Sequence, residues 1–336
     1  MLLDRFVSER NVENDALSED VERATEAFRN QQWTEVVALH DSLRFGLDLS
    51  RRWSEAKAVT EMALAAARQL GDEKLQARYT HDLADANARL GYYREAEALY
   101  ADSFVRFEQH GDYHSATKSL HLLAQTRRTL GKYVEAEAMA RECLKRAARF
   151  DMGAWRAHPL HTLAYLARDR TDYARALEYL TEALRIHEDG DEHDRDFMLA
   201  QSHYDMARTL ITMGDPSDRI AAHVNSVIEL AKRGGNVRDL GYMALRLYGD
   251  YAFSEGELFQ ALIYYQRALD QAQATLDQRR VAEIWIELAR THWRSGHFRK
   301  ALGYLLNVVG QLRGIGLLSP LRIWTVLHQR LKRMGW

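Results

Sequence analysis

The sequence predicts an all-α solenoid of about seven helix-turn-helix repeats, with an extra N-terminal helix and a C-terminal capping helix. Three observations carry that expectation. A short phrase recurs about every forty residues, apolar residues keep a spacing of three to four throughout, and no proline falls where it would interrupt a helix.

In chain order, Leu17 to Asn30 reads as the extra helix and Thr34 to Leu49 as the first helix of the first repeat. The phrase is a small or polar residue, a spacer, an aromatic or large residue, two spacers and a small residue. It stands as Gly91-x-Tyr93-x-x-Ala96, Gly131-x-Tyr133-x-x-Ala136, Thr171-x-Tyr173-x-x-Ala176, Gly256-x-Leu258-x-x-Ala261 and Gly296-x-Phe298-x-x-Ala301. Degenerate copies begin at Arg51, with Trp53 and Ala56, and at Gly214, with Pro216. The seven starts at 51, 91, 131, 171, 214, 256 and 296 lie 40, 40, 40, 43, 42 and 40 residues apart, a ladder that chance does not produce.

Seven residues beyond each Ala or its equivalent stands a second small or apolar residue: Ala63, Ser103, Cys143, Ala183, Ser226, Ala268 and Val308. Eight residues before most starts comes a large residue followed by a small one, as in Leu83-Ala84, Leu123-Ala124, Leu163-Ala164, Met206-Ala207, Tyr248-Gly249 and Leu288-Ala289. Spacings of four and seven put these positions on one helix face, and small residues there let two helix backbones approach closely.

These residues resemble the tetratricopeptide repeat, with a helix A carrying the large-small pair and a helix B carrying the Ala positions; Trp285, three before Leu288, occupies the family's early Trp position. The resemblance covers roughly residues 43 to 312 and implies a right-handed superhelical solenoid, preceded by an N-terminal segment (1–42) and followed by a capping helix (313–336). The repeats, at about 40 residues, are longer than the usual ~34. In this they resemble the sensor arms of bacterial signal-transducing ATPases of the STAND type and of peptide-responsive bacterial regulators. The stretch from Arg52-Trp53-Ser54-Glu55-Ala56 through Ala63-Leu64-Ala65-Ala66-Ala67 is similar to the opening of such arms, which makes a sensor arm of a larger signalling protein one origin for the chain.

The punctuation agrees. Gly71-Asp72, Gly111-Asp112 and Gly190-Asp191 each offer a left-handed C-cap followed by an N-cap. Pro159, Pro216 and Pro320 stand at first turns. Leu321, Trp324, Leu327 and Leu331 make the apolar stripe of the final capping helix, with Arg322, Gln329 and Arg333 opposite.

Composition narrows the function classes. The 46 Lys+Arg and 48 Asp+Glu of the 336 residues nearly cancel, so no overall charge draws the chain to nucleic acid or anionic membrane. One cysteine excludes an intramolecular disulfide framework, and no stretch approaches ~18 uncharged apolar residues, so a soluble, cytoplasmic protein is expected. There is no phosphate-binding loop after a strand, no His-Glu-x-x-His and no Gly-x-Ser-x-Gly; Cys143 sits at a small core position, where burial makes a thiol inert. No catalysis, cofactor or metal is expected. The acid-rich connection from His187 to Asp194 matches no calcium loop and reads as solvated turn.

The resemblance implies a groove lined by the A helices. Carried across residue by residue, its groove-facing positions are His81, His121, His161, Tyr204, Arg246 and Ile286 (two before the large residue) and Asp85, Gln125, Tyr165, Arg208, Asp250 and Arg290 (two after it). Arg89, Arg128, Arg168 and Arg294 follow further along. Arg clamps carboxylates with two parallel hydrogen bonds and Tyr combines apolar contact with a polar tip, so the expected partner is a protein or peptide segment with acidic side chains. The three histidines stand a repeat apart, too far to share one tetrahedral ion. Arg and Asp in neighbouring columns can equally pair with one another. The alternatives are single-stranded nucleic acid stacked on the Tyr and His of this face, and a self-associating scaffold.

Overall fold

A computed structural model describes residues 2–190, 195–215, 217–233, 237–274 and 278–314. Among them stand fifteen α-helices, one 3-10 turn and no strand. They divide into two compact units, Met1–Asp151 and Met152–Trp336.

Unit 1 runs α1 (Leu2–Arg29), α2 (Trp33–Leu49), α3 (Trp53–Gln69), α4 (Glu73–Arg89), α5 (Tyr93–Gln109), α6 (Tyr113–Thr129) and α7 (Tyr133–Arg149), each packed on the next. Helices α2/α3, α4/α5 and α6/α7 are the A and B helices of three repeats. Helix α1 starts well before the expected Leu17 and lies on α2 and α3 as an extra layer. A Cβ at Gly46 would stand 2.7 Å from Leu17, so α1 and α2 meet there at close range.

Unit 2 opens with the 3-10 turn Gly153–Arg156, followed by α8 (Ala157–Asp169), α9 (Tyr173–Asp189), α10 (Arg195–Met213), α11 (Ser217–Arg233), α12 (Val237–Ser254), α13 (Leu258–Ala274), α14 (Gln278–Arg294) and α15 (Phe298–Gly314). These give four further A/B pairs. The expected C-terminal capping helix and its Pro320, as well as Pro216 and the 191–194 end of the acidic connection, lie outside the described residues. Pro159 falls in the first turn of α8, as expected.

The phrase marks the A-to-B turn. Gly91 and Gly131 adopt φ of 86° and 80° just past the A helix, and the next N–H closes back on the helix, Tyr92 N to Asn87 O at 2.8 Å. The aromatic or large residue is the first of the B helix. The following Ala96, Ala136, Ala176, Ala261 and Ala301 are wholly buried, as are Ala63, Ser103, Cys143, Ala183 and Ala268 one face-turn later. Burial pushes the Cys143 thiol up, which keeps it a small core residue.

Two expectations need correction. The fifth repeat is out of step by one: α11 begins at Ser217, three after Gly214 instead of two, so Ile220 and Val227 fill the contact positions and Ser226 only half enters the core. Gly190 is extended (φ −82°, ψ 155°), not left-handed; the Arg195 guanidinium instead donates to the last carbonyls of α9, His187 O at 3.2 Å and Glu188 O at 2.6 Å. Gly249 stands where other repeats have Ala because an added Cβ would fall 2.5 Å from the buried ring of Tyr265.

Where the phrase lacks glycine, the backbone still turns left-handed: Arg51 has φ 59° and Thr171 φ 64°. A β-branched residue is costly there. Thr171→Gly is therefore expected to raise stability by ~1 kcal/mol, read as a higher urea midpoint; an unchanged or lower midpoint would show that the turn is unstrained.

Candidate functional site on the A helices

In unit 1 the structure brings the columns of α4 and α6 together through local contacts. The His81 Nδ1 lies 2.8 Å from Ser119 Oγ on α6, and its Nε2 lies 4.0 Å from Asp85. Tyr100 on α5 donates a short hydrogen bond to Asp85. Gln125 donates to buried His121 at 3.0 Å. Arg89 reaches back to Asp48 on α2 at 3.5 Å and lies over the Trp53 ring at 4.5 Å. Arg128 is half-buried on α6. On α2, one repeat before Asp85 and Arg89, Phe45 and Leu49 are exposed.

Unit 2 holds two clusters. In the first, Asp205 on α10 accepts from two of the candidates and from Gln201: Tyr165 Oη at 2.6 Å, Gln201 Nε2 at 2.9 Å and His161 Nδ1 at 3.1 Å. Burial works against the Asp205 charge, but these hydrogen bonds and the nearby Arg168 hold the carboxyl below its usual range. Arg168 lies over the Tyr165 ring at 5.2 Å.

The second cluster gathers the columns of α10, α12 and α14. Arg208 Nε stands 3.3 Å from Asp250 Oδ2, and Tyr265 Oη on α13 donates to Asp250 at 2.7 Å. Arg246 is buried, forms a short ion pair with Glu283 on α14, and lies 3.4 Å from Tyr242 Oη. Arg208 lies over the buried Tyr204 ring at 5.5 Å and Arg290 over Phe253 at 4.2 Å. Arg294 shares that ring, at 5.0 Å, and donates to Phe253 O near the end of α12 at 3.1 Å.

The two columns are thus unequal. His81, His161 and Arg246, two before the large residue, reach to the next A helix and form a seam between repeats. Asp85, Arg208, Asp250 and Arg290, two after it, keep part of their side chains in solvent. Sequence reasoning missed the acids of this face, Asp82, Asp205 and Glu287, although each stands one residue before the large residue of its repeat. Asp82 is buried with neither oxygen hydrogen-bonded, and burial pushes its carboxyl up to about 6 against the pull of Arg44, which lies 3.1 Å away. It also missed Tyr100 and Tyr265, which stand nine residues after Gly91 and Gly256 and donate to Asp85 and Asp250.

Among the described residues no group of three or more His, Cys, Asp or Glu is placed to share a metal ion, and no helix is long and apolar enough to cross a membrane.

The sequence of residues 115–189 matches the tetratricopeptide repeat family. No curated protein matches the chain. Among solved structures, the fold is similar to that of a Rap protein complexed with competence and sporulation factor (12% identity, 88% of this chain and 80% of that one, TM-score 0.71). It is similar to NprR in complex with its cognate peptide NprX (15% identity, 92% and 85%, TM-score 0.65). A third likeness is a signal-transduction ATPase with numerous domains and a tetratricopeptide repeat sensor from Pyrococcus horikoshii (11% identity, 95% of this chain but 53% of that one, TM-score 0.56). Residues 115–189 are therefore tetratricopeptide repeat sequence, and the all-α fold that carries them is of the tetratricopeptide type, similar to that of a Rap protein, of NprR and of a STAND protein with a tetratricopeptide repeat sensor.

Proposed function

We propose that the chain is a protein- or peptide-binding module, a ligand sensor or adaptor and not a catalyst, that reads an acidic segment with the A-helix column standing two after each large residue. The observation that carries this reading is the α10–α12–α14 cluster, where Arg208 and Arg290 stand half in solvent around a buried third arginine. Charged groups placed only for solvation would point outward singly; here the guanidiniums of Arg208 and Arg246 are held by acids and tyrosines and that of Arg290 lies over the Phe253 ring, the preorganisation that recognition requires. That NprR binds a cognate peptide on a similar fold is consistent with the reading.

Charge reversal at Arg208 would set a carboxylate against Asp250, so the test uses Arg208→Gln and Arg290→Gln together. A random hexapeptide library panned on the full chain is expected to yield acidic peptides whose affinity falls at least ~30-fold on the double variant, about 2 kcal/mol, while its melting temperature stays within a few degrees. Failure to enrich any peptide above an unrelated protein would overturn the proposal. Equal binding by both forms would move the site off this column.

A further inference from the structure

The α10–α12–α14 cluster presents more guanidinium donors than its own acids engage. Each guanidinium has five N–H donors in a rigid fork. Arg246 keeps its buried Nε without an acceptor. Arg208 meets Asp250 through Nε, and Arg290 approaches Glu287 only to 3.7 Å, beyond hydrogen-bond reach. Glu287 is the weakly held acid: Asp250 is fixed by Tyr265 and Arg208 and Glu283 by Arg246, whereas the described contact of the Glu287 carboxyl is that loose one.

We propose that this cluster is a receptor for one carboxylate of the bound segment, and that the Glu287 carboxyl is the resident group which the incoming carboxylate displaces. The inference rests on the binding reading above and adds the chemistry of one subsite. The way in lies at Arg208 and Arg290, 28% and 36% exposed, with Arg246 beneath them at 7%. A carboxylate entering there accepts N–H bonds from the unengaged donors and takes over the positive charge that faces Glu287. Deprived of that charge, Glu287 takes up a proton from solvent, so one anion and one proton enter together and the net charge of the cluster is unchanged.

The groups facing Glu287 are Arg208 on α10, Arg246 and Asp250 on α12, Tyr265 on α13 and Arg290 on its own helix. Burial and then Asp250 already raise its proton affinity, against the pull of Arg246, Arg290 and Arg208. Helix α15, on the other side of α14, brings Tyr304 against His292 at 5.7 Å instead. Binding should accordingly weaken as pH rises past the titration of Glu287, by at most about tenfold per pH unit.

Two probes separate the sources of a carboxylate: N-acetyl-glutamyl amide carries only the side-chain acid, and N-acetyl-alanine only a chain-terminal one. Each is titrated into the full chain at pH 6 and pH 8 while the Nε–H resonances of Arg208, Arg246 and Arg290 are followed by NMR. The expected result is a saturable shift of these resonances with at least one probe. Affinity should be about tenfold or more higher at pH 6, and in Glu287→Gln the pH difference should disappear and the probe bind more tightly. No saturable shift with either probe at pH 6, or an unchanged pH dependence in Glu287→Gln, would overturn the subsite. Peptides enriched from the library with both probes silent would sink the subsite and leave the binding reading standing. Probes bound with no peptide enriched would remove that reading and leave the subsite.

Discussion

Ala136→Trp is expected to cost about 3 kcal/mol or more, because nothing around this methyl can move aside. Ala136 is wholly buried one turn into α7, where that helix lies against α6, and its equivalents Ala96, Ala176, Ala261 and Ala301 are buried to the same degree. Small residues at these places set how closely A and B approach. An indole there must push the pair apart, and the displacement is passed to the preceding α4/α5 pair because α5 packs on α6. Val134→Trp supplies the control: it lies on the same helix, two residues away and 78% exposed, and is expected to change stability by less than ~0.5 kcal/mol. Urea midpoints of the two variants settle the matter. A similar small effect for both would mean that the repeat register is wrong.

That register was legible because close helix contacts demand small residues, and small residues recurring at a fixed period stand out in one dimension. Where the contact is made by larger residues the signal disappears. In α11 Ile220 and Val227 do the work of Ala176 and Ala183, and the one-residue slip behind Gly214 is invisible to a search for Ala and Ser. The length of α1 was hidden for a different reason: residues 8 to 15 are polar apart from Val12, so no apolar period marks them as helix.

The site was legible as columns but not as chemistry. Counting two residues back from Leu163 finds His161, yet nothing in that count says the ring will face Asp205 on the next A helix, 44 residues away. An A helix has neighbours on both sides, so the column leaning toward the next repeat becomes a buried seam and the other remains open. Which is which depends on how neighbouring pairs rotate, a property of packing that residue spacing does not encode. The acids one before the large residue were readable in principle, since Asp82, Asp205 and Glu287 share that place. Apolar patterning does not mark them, because a position touching the core is ordinarily apolar; at Asp205 the hydrogen bonds from His161 and Tyr165 offset the desolvation, whereas Asp82 has no such bond.

Acidification from pH 7.5 to 4.5 is expected to destabilise the protein, and His187→Leu to remove ~2 kcal/mol of that loss. His187, on α9, is 1% exposed and neither ring nitrogen has a hydrogen-bond partner. Burial, with His161 next, brings its pKa down from 6.5 to about 4; the two rings lie 6.0 Å apart. The folded value lies below the unfolded one, so between pH 6.5 and 4 the unfolded chain takes the proton first. Stability is therefore complete above 6.5 and falls as the pH drops through that window. His203 and His223 act in the same direction. Their Nδ1 atoms stand 2.9 Å apart, burial lowers both pKa values, that of His223 to about 4, and protonating both would set two donors face to face. Glu287 opposes them, because a carboxyl whose affinity for protons is raised in the folded state favours folding as pH falls. The wild-type curve thus mixes signs, and the difference between wild type and His187→Leu is what isolates one ring. Urea unfolding at both pH values should give the variant at least equal stability at 7.5, where an apolar side chain no longer buries two unpartnered nitrogens, and the smaller loss at 4.5. Equal losses in the two proteins would mean that His187 keeps a partner or solvent in the folded chain, and its lowered proton affinity would have no cause.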